Sequence, residues 1–277
     1  VDDAGQIWAD LQGTSAPGTT MGTCTALASG RTDIIDTANS ITVTLIEGAL
    51  SSVSESSLFA GANWFAIGDH GRWEIVAAKT CTLVSGTTYT VSDFLRGRYG
   101  TEWAMDTHIV GDWIIQLDGD TAAFVNYALS AIGASHYYRG ITNGDAFDSV
   151  SDRVQEYTGV CLECLAPVYF NGSKDPVTND WNITWIRRTR IGGEWRDLVD
   201  APLSETSESY SLDIFADGLY SAIVRTVTTS AASFAYTSAM QVADFGAVQP
   251  FLVVNIYQVS DKVGRGYPLA AWLPRTP

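Results

Sequence analysis

The stretch TYTVSDFLRGRYGTEW, residues 88–103, runs from an alternating β-branched segment into two arginines and two glycines. The Gly-Arg-Tyr-Gly run within it admits three readings: a phosphate-binding loop, a nucleic-acid contact, or the turn of a hairpin. A phosphate cradle needs successive backbone N–H groups at a helix N-terminus, with G-x-x-x-x-G-K-[ST] or G-x-G-x-x-G after a strand. Here Gly97 and Gly100 are followed by no Lys-Ser/Thr, and no βαβ alternation surrounds them. The segments TYTVSDFL before and DWIIQLD (112–118) after read as strands. The run is therefore expected to be an architectural hairpin. Gly97 and Gly100 supply its backbone angles, and Arg96, Arg98 and Glu102 form a local charge network.

The same punctuation extends in both directions. SITVTLI (40–46) alternates β-branched and apolar residues, and RWEIVAAKTCTLV (72–84) reads as one or two strands after the turn Asp69-His70-Gly71. ESSLFAGANWFAIG (55–68) suits one helical turn leading into a strand. SHYYRGITNG (135–144) holds a strand closed by Asn143-Gly144, a hairpin or turn signal. DTAAFVNYALSA (120–131) has helix-like composition. Residues 1–37 read as turns with short strands, with 1–35 either part of the first domain or an irregular lead-in, and the chain opens at Val1 without methionine, which suggests a fragment or a processed product of something larger.

A boundary is expected near Leu165-Ala166-Pro167. Beyond it, seven short β-branched or aromatic runs lie at 168–170, 180–189, 209–215, 220–230, 233–238, 251–260 and 267–273. That count in this length suits a fibronectin-III-like β-sandwich, with Trp185 as the inward tryptophan of its second strand. In VVNIYQVS, Tyr257 shares a face with Val253 and Val259, as on a penultimate core strand. The expected fold class is all-β: a β-rich domain over 1–165 and a sandwich over 166–277.

The formal net charge is −15. Residues 1–165 carry 7 Lys+Arg against 20 Asp+Glu, a balance of −13, and residues 166–277 carry 9 against 11, a balance of −2. Such charge repels polyphosphate and argues against a nucleic-acid binder. The apolar runs are far shorter than the roughly 18 residues of a membrane helix.

Among the four cysteines, Cys161-Leu-Glu-Cys164 has half the spacing of a zinc site, without a second pair or nearby histidines. An extended backbone would put one of these thiols inside and one out. Asp118-Gly119-Asp120 and Asn143-Gly144-Asp145 fall short of a calcium loop. Asp69-His70 and His108 lack nucleophile context. No catalytic residue, metal or cofactor is expected. A second basic cluster, Arg187, Arg188, Arg190 and Arg196, lies among Glu194, Asp197 and Asp200, which can neutralise it. The candidate contacts for a partner surface or a glycan are Arg96, Arg98, Tyr99, Glu102 and Trp103 in one cluster. In the other they are Arg187, Arg188, Arg190, Trp195 and Arg196.

Three segments carry a family resemblance: residues 40–103, WIRRTRIGGEWRDLVDAPLSETSESYSLDIF (185–215) and QVADFGAVQPFLVVNIYQVSDKVGRGYPLAA (241–271). They resemble the post-barrel and closing regions of the large tail-tip proteins of tailed phages and gene transfer agents. That family is also labelled host-specificity protein, baseplate hub or TIM-barrel-like tail protein. The likeness spans roughly residues 36–273, and L-R-G-R-x-G-T-E is its most specific short motif. It implies a structural and adsorption role at the distal tail tip, with other tail-tip proteins and a host surface polysaccharide or receptor as partners. It further implies a trimeric hub for the whole protein, assembly in the host cytoplasm, and no catalytic residues for these positions. On residues alone, a carbohydrate-binding module with a Trp/Tyr platform is the alternative.

Overall fold

A computed structural model describes residues 18–118, 126–142, 144–193 and 199–274. The fold is all-β, and the chain divides into two compact units between Tyr157 and Thr158. The sequence placed this joint near Leu165. The segment before Leu165 belongs with the second unit because Cys164 is buried there and its carbonyl accepts from Tyr267 N at 3.1 Å.

The first unit is a closed six-stranded antiparallel barrel. Its elements are β1 (Met21–Cys24), β2 (Asp36–Glu47), the helical turn α1 (Glu55–Phe59), β3 (Trp64–Gly68), β4 (Glu74–Ser85), β5 (Thr88–Arg98) and β6 (Asp112–Gln116). Strand order around the barrel is β1-β2-β5-β4-β3-β6. Period-two alternation on β2 sends Ile41, Val43 and Leu45 inward, where they meet Phe65, Ile67, Val76, Val91, Phe94 and Ile114. The interior is thus a packed apolar core. Strand β1, one of the short strands expected in this part of the chain, closes the barrel between β2 and β6, so residues 21–24 belong to the first unit. The helical turn α1 buries Leu58 outside the barrel against Ala77 and Leu95, as ESSLF followed by a strand suggested.

Past the barrel, β7 (Ser135–Tyr138) pairs only with β8 (Arg153–Glu156), from Ser135↔Glu156 to Tyr138↔Arg153. The connection therefore runs over residues 139–152; a tight turn forms at Gly144, where Asp145 N donates to Thr142 O at 2.9 Å and Gly144 has φ +95°, but it does not join the two strands as a two-residue hairpin. The connection is held by Arg139, whose side chain reaches Asp152 at 2.5 Å and Asp148 at 3.0 Å and covers the Phe147 ring. Of the expected helix 120–131, residues 120–125 lie outside the described residues; the remainder forms only a 3₁₀ turn at Leu129–Ala131.

The second unit is a two-sheet β-sandwich of seven strands. They are β9 (Val168–Lys174), β10 (Trp181–Ile186), β11 (Tyr210–Phe215), β12 (Ile223–Thr229), β13 (Ser233–Tyr236), β14 (Leu252–Ser260) and β15 (Gly264–Leu273). The sheet β13-β10-β9 faces the sheet β12-β11-β14-β15. On β10, Trp181, Ile183 and Trp185 point inward while Asn182, Thr184 and Ile186 face out. Trp185 meets Tyr210 of the opposite sheet edge-on at 5.1 Å. Strand β14 is penultimate and central, but its core face carries Leu252, Val254 and Ile256. Tyr257 lies on the other face, beneath the Arg265 guanidinium at 4.6 Å.

One helix was not legible in sequence: α2 (Ser238–Phe245), between β13 and β14. Thr237 caps it by accepting from Met240 N, and Gly246 ends it at φ +77°. Its buried Gln241 donates to the carbonyls of Asn179 and Tyr236 and accepts from Gln249 N. Among the described residues no helix is long and apolar enough to cross a membrane.

Candidate functional site

The L-R-G-R-Y-G-T-E run is no hairpin. Strand β5 pairs with β2 and β4, whereas β6 pairs with β1 and β3. The run is instead the bulged end of β5 and a left-handed corner that leads through a 3₁₀ turn (Thr101–Thr107) across the barrel end to β6. Arg96 and Gly97 together oppose Val76, between the pairs Ala77↔Leu95 and Ile75↔Arg98. Gly97, Tyr99 and Gly100 all have positive φ. A Cβ on Gly97 would sit 2.6 Å from Glu102 Cγ, so glycine is required there. Thr101 Oγ1 donates to Arg98 O at 2.7 Å and accepts from Ile75 N at 2.9 Å, which pins the corner to β4.

The bulge turns Arg96 into the protein, where its side chain is fully buried. Its fork meets Glu74 of β4 twice, at 2.8 and 2.9 Å. Its remaining nitrogen donates to Asp36 at 3.1 Å and Ala28 O at 2.8 Å. Gly97 N donates to Glu74 Oε1 at 2.8 Å. His108 Nε2 lies 2.7 Å from Glu74 Oε2, and its Nδ1 lies 3.4 Å from Asp112 Oδ2. Whichever ring nitrogen carries the proton, a carboxylate is in reach. Asp112 in turn receives both arms of Arg72 and Ile109 N. The chain Asp36–Arg96–Glu74–His108–Asp112–Arg72 thus joins four strands of the barrel to two connecting loops.

The electrostatics follow from this pairing. Burial by itself would raise the Glu74 carboxyl, but the bonds from His108, Arg96 and Gly97 outweigh it and hold the group below its ordinary value. Asp112 is lowered in the same way against burial, chiefly by Arg72 and Ile109 N, and Asp36 by Asn39, Ala38 and Arg96. Both oxygens of Glu74 are engaged and its side chain has no exposed surface. Such a carboxylate is placed to hold backbone and side chains together; it faces no cleft in which to exchange a proton with a substrate.

The expected cluster at 96–103 therefore separates into an inner and an outer part. Arg96 has no surface to offer a partner, and its network runs to Glu74 and Asp36 in place of Glu102. Glu102 packs against Gly97. Arg98 and Tyr99 face outward; Tyr99 is 73% exposed, with its ring tilted on Trp64 at 5.4 Å, and Trp103 is 41% exposed. In the sandwich, Arg187 pairs with Asp200 at 2.6 Å and donates to Ala201 O, and Arg190 pairs with buried Glu205 at 2.6 Å. Arg188 is half-buried. Trp195 and Arg196, with Glu194 and Asp197, lie outside the described residues.

Glu205 also accepts from Ser260 and from the Cys164 thiol, which burial and this carboxylate push up to about 12. Cys161 is exposed and Cys164 buried, as expected, but the segment is a 3₁₀ turn (Val160–Leu162) and no strand. Among the described residues no group of three or more His, Cys, Asp or Glu gathers as a metal site.

Five members of the barrel network were not singled out in sequence as contacts: Asp36, Arg72, Glu74, His108 and Asp112. The available signal was Glu74, a lone carboxylate inside the apolar run WEIVAA, since a buried charge requires a partner. Its partners stand 22 and 34 residues away, beyond any local pattern.

No curated protein matches the chain. The family model described as "Rcc01698-like, C-terminal" matches residues 19–115, a stretch that begins just before β1, contains the L-R-G-R-Y-G-T-E corner and ends one residue short of the end of β6.

Proposed function

We propose that this chain is a non-enzymatic structural part of the distal tail tip of a phage or gene-transfer particle, where it contributes to host-surface recognition. The observation that carries this reading is the corner at 96–102. The most specific motif of the tail-tip resemblance has its buried arginine wholly engaged in bracing a barrel, the arrangement of an assembly part. The family-model match over the same barrel is in keeping with it. On this reading the partners are other tail-tip proteins and further copies of the chain, a trimer in the full-length protein, and the protein is assembled in the host cytoplasm.

Immunogold labelling of purified particles with antibody against the chain tests the proposal. Gold at the distal tip supports it. Particles that stay bare, and that lack the antigen after denaturation, overturn it. A glycan-binding module is the second reading, favoured by the outward Tyr99 with Trp64 and Trp103. Exposed aromatic faces of this kind serve as contact anchors. Protection of tryptophan fluorescence by host polysaccharide in the absence of any particle association would favour it.

A further inference from the structure

The sandwich contains a groove of about 840 Å³ that runs along β9 and β10 and is bounded by Pro250 and the end of β15. That volume suits a small-molecule or oligosaccharide site. Phe170, Trp181 and Trp185 border it from the core side, each only 3% exposed. Its rim carries Tyr169, 78% exposed and held at φ +52°. A bulky residue in the left-handed region is strained, and strain of that kind gathers at binding sites. Asn171, Ser173 and Thr184 add amide and hydroxyl groups to the walls.

The charge is unusual for so acidic a chain. Among the described residues lining the groove, Lys174 is the one charged side chain, and no carboxylate stands with it. Its ammonium is tethered to Gln249 O at 2.8 Å, 5.8 Å from the Trp181 ring centre.

We propose that this groove binds an acidic oligosaccharide, a sugar face stacking on Tyr169 and a sugar carboxylate meeting Lys174. The proposal rests on the surface-recognition reading above. An exposed tyrosine, scattered amide and hydroxyl partners and a single cation match a carboxylated sugar, and the residues 166–277 that carry the groove hold only −2 of the chain's −15 charge.

The test is an array of uronate-bearing, sialate-bearing and neutral oligosaccharides probed with the whole chain, and calorimetry on the best responders. Asn171→Asp is the informative variant. Asn171 Oδ1 accepts from Gly172 N at 2.8 Å, a bond aspartate keeps, so the fold stands while a negative charge enters the groove. Acidic sugars should bind the parent chain and lose at least tenfold in Asn171→Asp and at least fivefold in Tyr169→Ala. Binding that weakens between 50 and 200 mM salt, roughly as expected for one ion pair, is also predicted. No response to any acidic sugar, preference for neutral ones, or binding unaltered in both variants overturns the proposal. Because immunogold labelling reads particle association alone, a groove that fails here and a tail-tip reading that fails there give different results.

Discussion

Replacing Arg96 by methionine should destabilise the barrel more than any surface change. The substitution keeps much of the aliphatic stem and removes four hydrogen bonds: two to Glu74 and one each to Asp36 and Ala28 O. Asp36 retains local donors, Ala38 N at 3.1 Å and Asn39 Nδ2 at 2.7 Å. The loss therefore falls on Glu74, left buried with one countercharge removed, and on an unpaired carbonyl. Removing one partner of a buried ion pair costs about 3–5 kcal/mol. For a barrel of this size that corresponds to a fall of more than about 10 °C in its melting temperature. Since the chain has two compact units, the barrel must be read separately, through denaturant-dependent hydrogen exchange of β4 and β5 amides. The double variant Arg96→Met/Glu74→Met should lose at least about 2 kcal/mol less than the sum of the two single variants, because an apolar pair leaves no stranded charge between those positions. A loss below about 1 kcal/mol for Arg96→Met, or strict additivity in the cycle, would refute the account of the network.

Three further outcomes are expected. Glu74, Asp36 and Asp112 are held below their ordinary values of 4.5, 3.8 and 3.8. For such groups the stabilisation is present above the ordinary value and is lost as pH falls through the lowered one, so the barrel should weaken progressively below about pH 4.5. Glu74→Gln should flatten that acid limb in a circular-dichroism titration. Gly97→Ala should cost about 2–4 kcal/mol, combining left-handed strain with the clash on Glu102, whereas Gly71→Ala, at φ +80° in open space, should cost about 1 kcal/mol; urea midpoints compare them. Burial pushes the Cys24 and Cys81 thiols up to about 12 and about 11. A mass-resolved alkylation at neutral pH should therefore modify exposed Cys161 first and leave Cys24, Cys81 and Cys164 until the protein unfolds.

The sequence by itself determined the fold class and most strand positions, because period-two alternation and turn residues are local. SITVTLI, DWNITWI and FLVVNIYQVS each became strands, and Trp185 turned inward as its neighbours on β10 required. Asn143-Gly144 marked a turn but not the hairpin joining β7 and β8, because a turn signal says nothing of which segments pair around it. The corner at 96–103 shows the division most clearly. Two glycines in the run announced special backbone angles, and those angles are there. Whether the arginine between the strands pointed at a partner or into the barrel depended on a bulge against Val76 and on carboxylates 22 and 60 residues away. Only barrel closure brings Asp36, Glu74, His108 and Asp112 to one end, since a charge can be buried only where its countercharges are assembled around it.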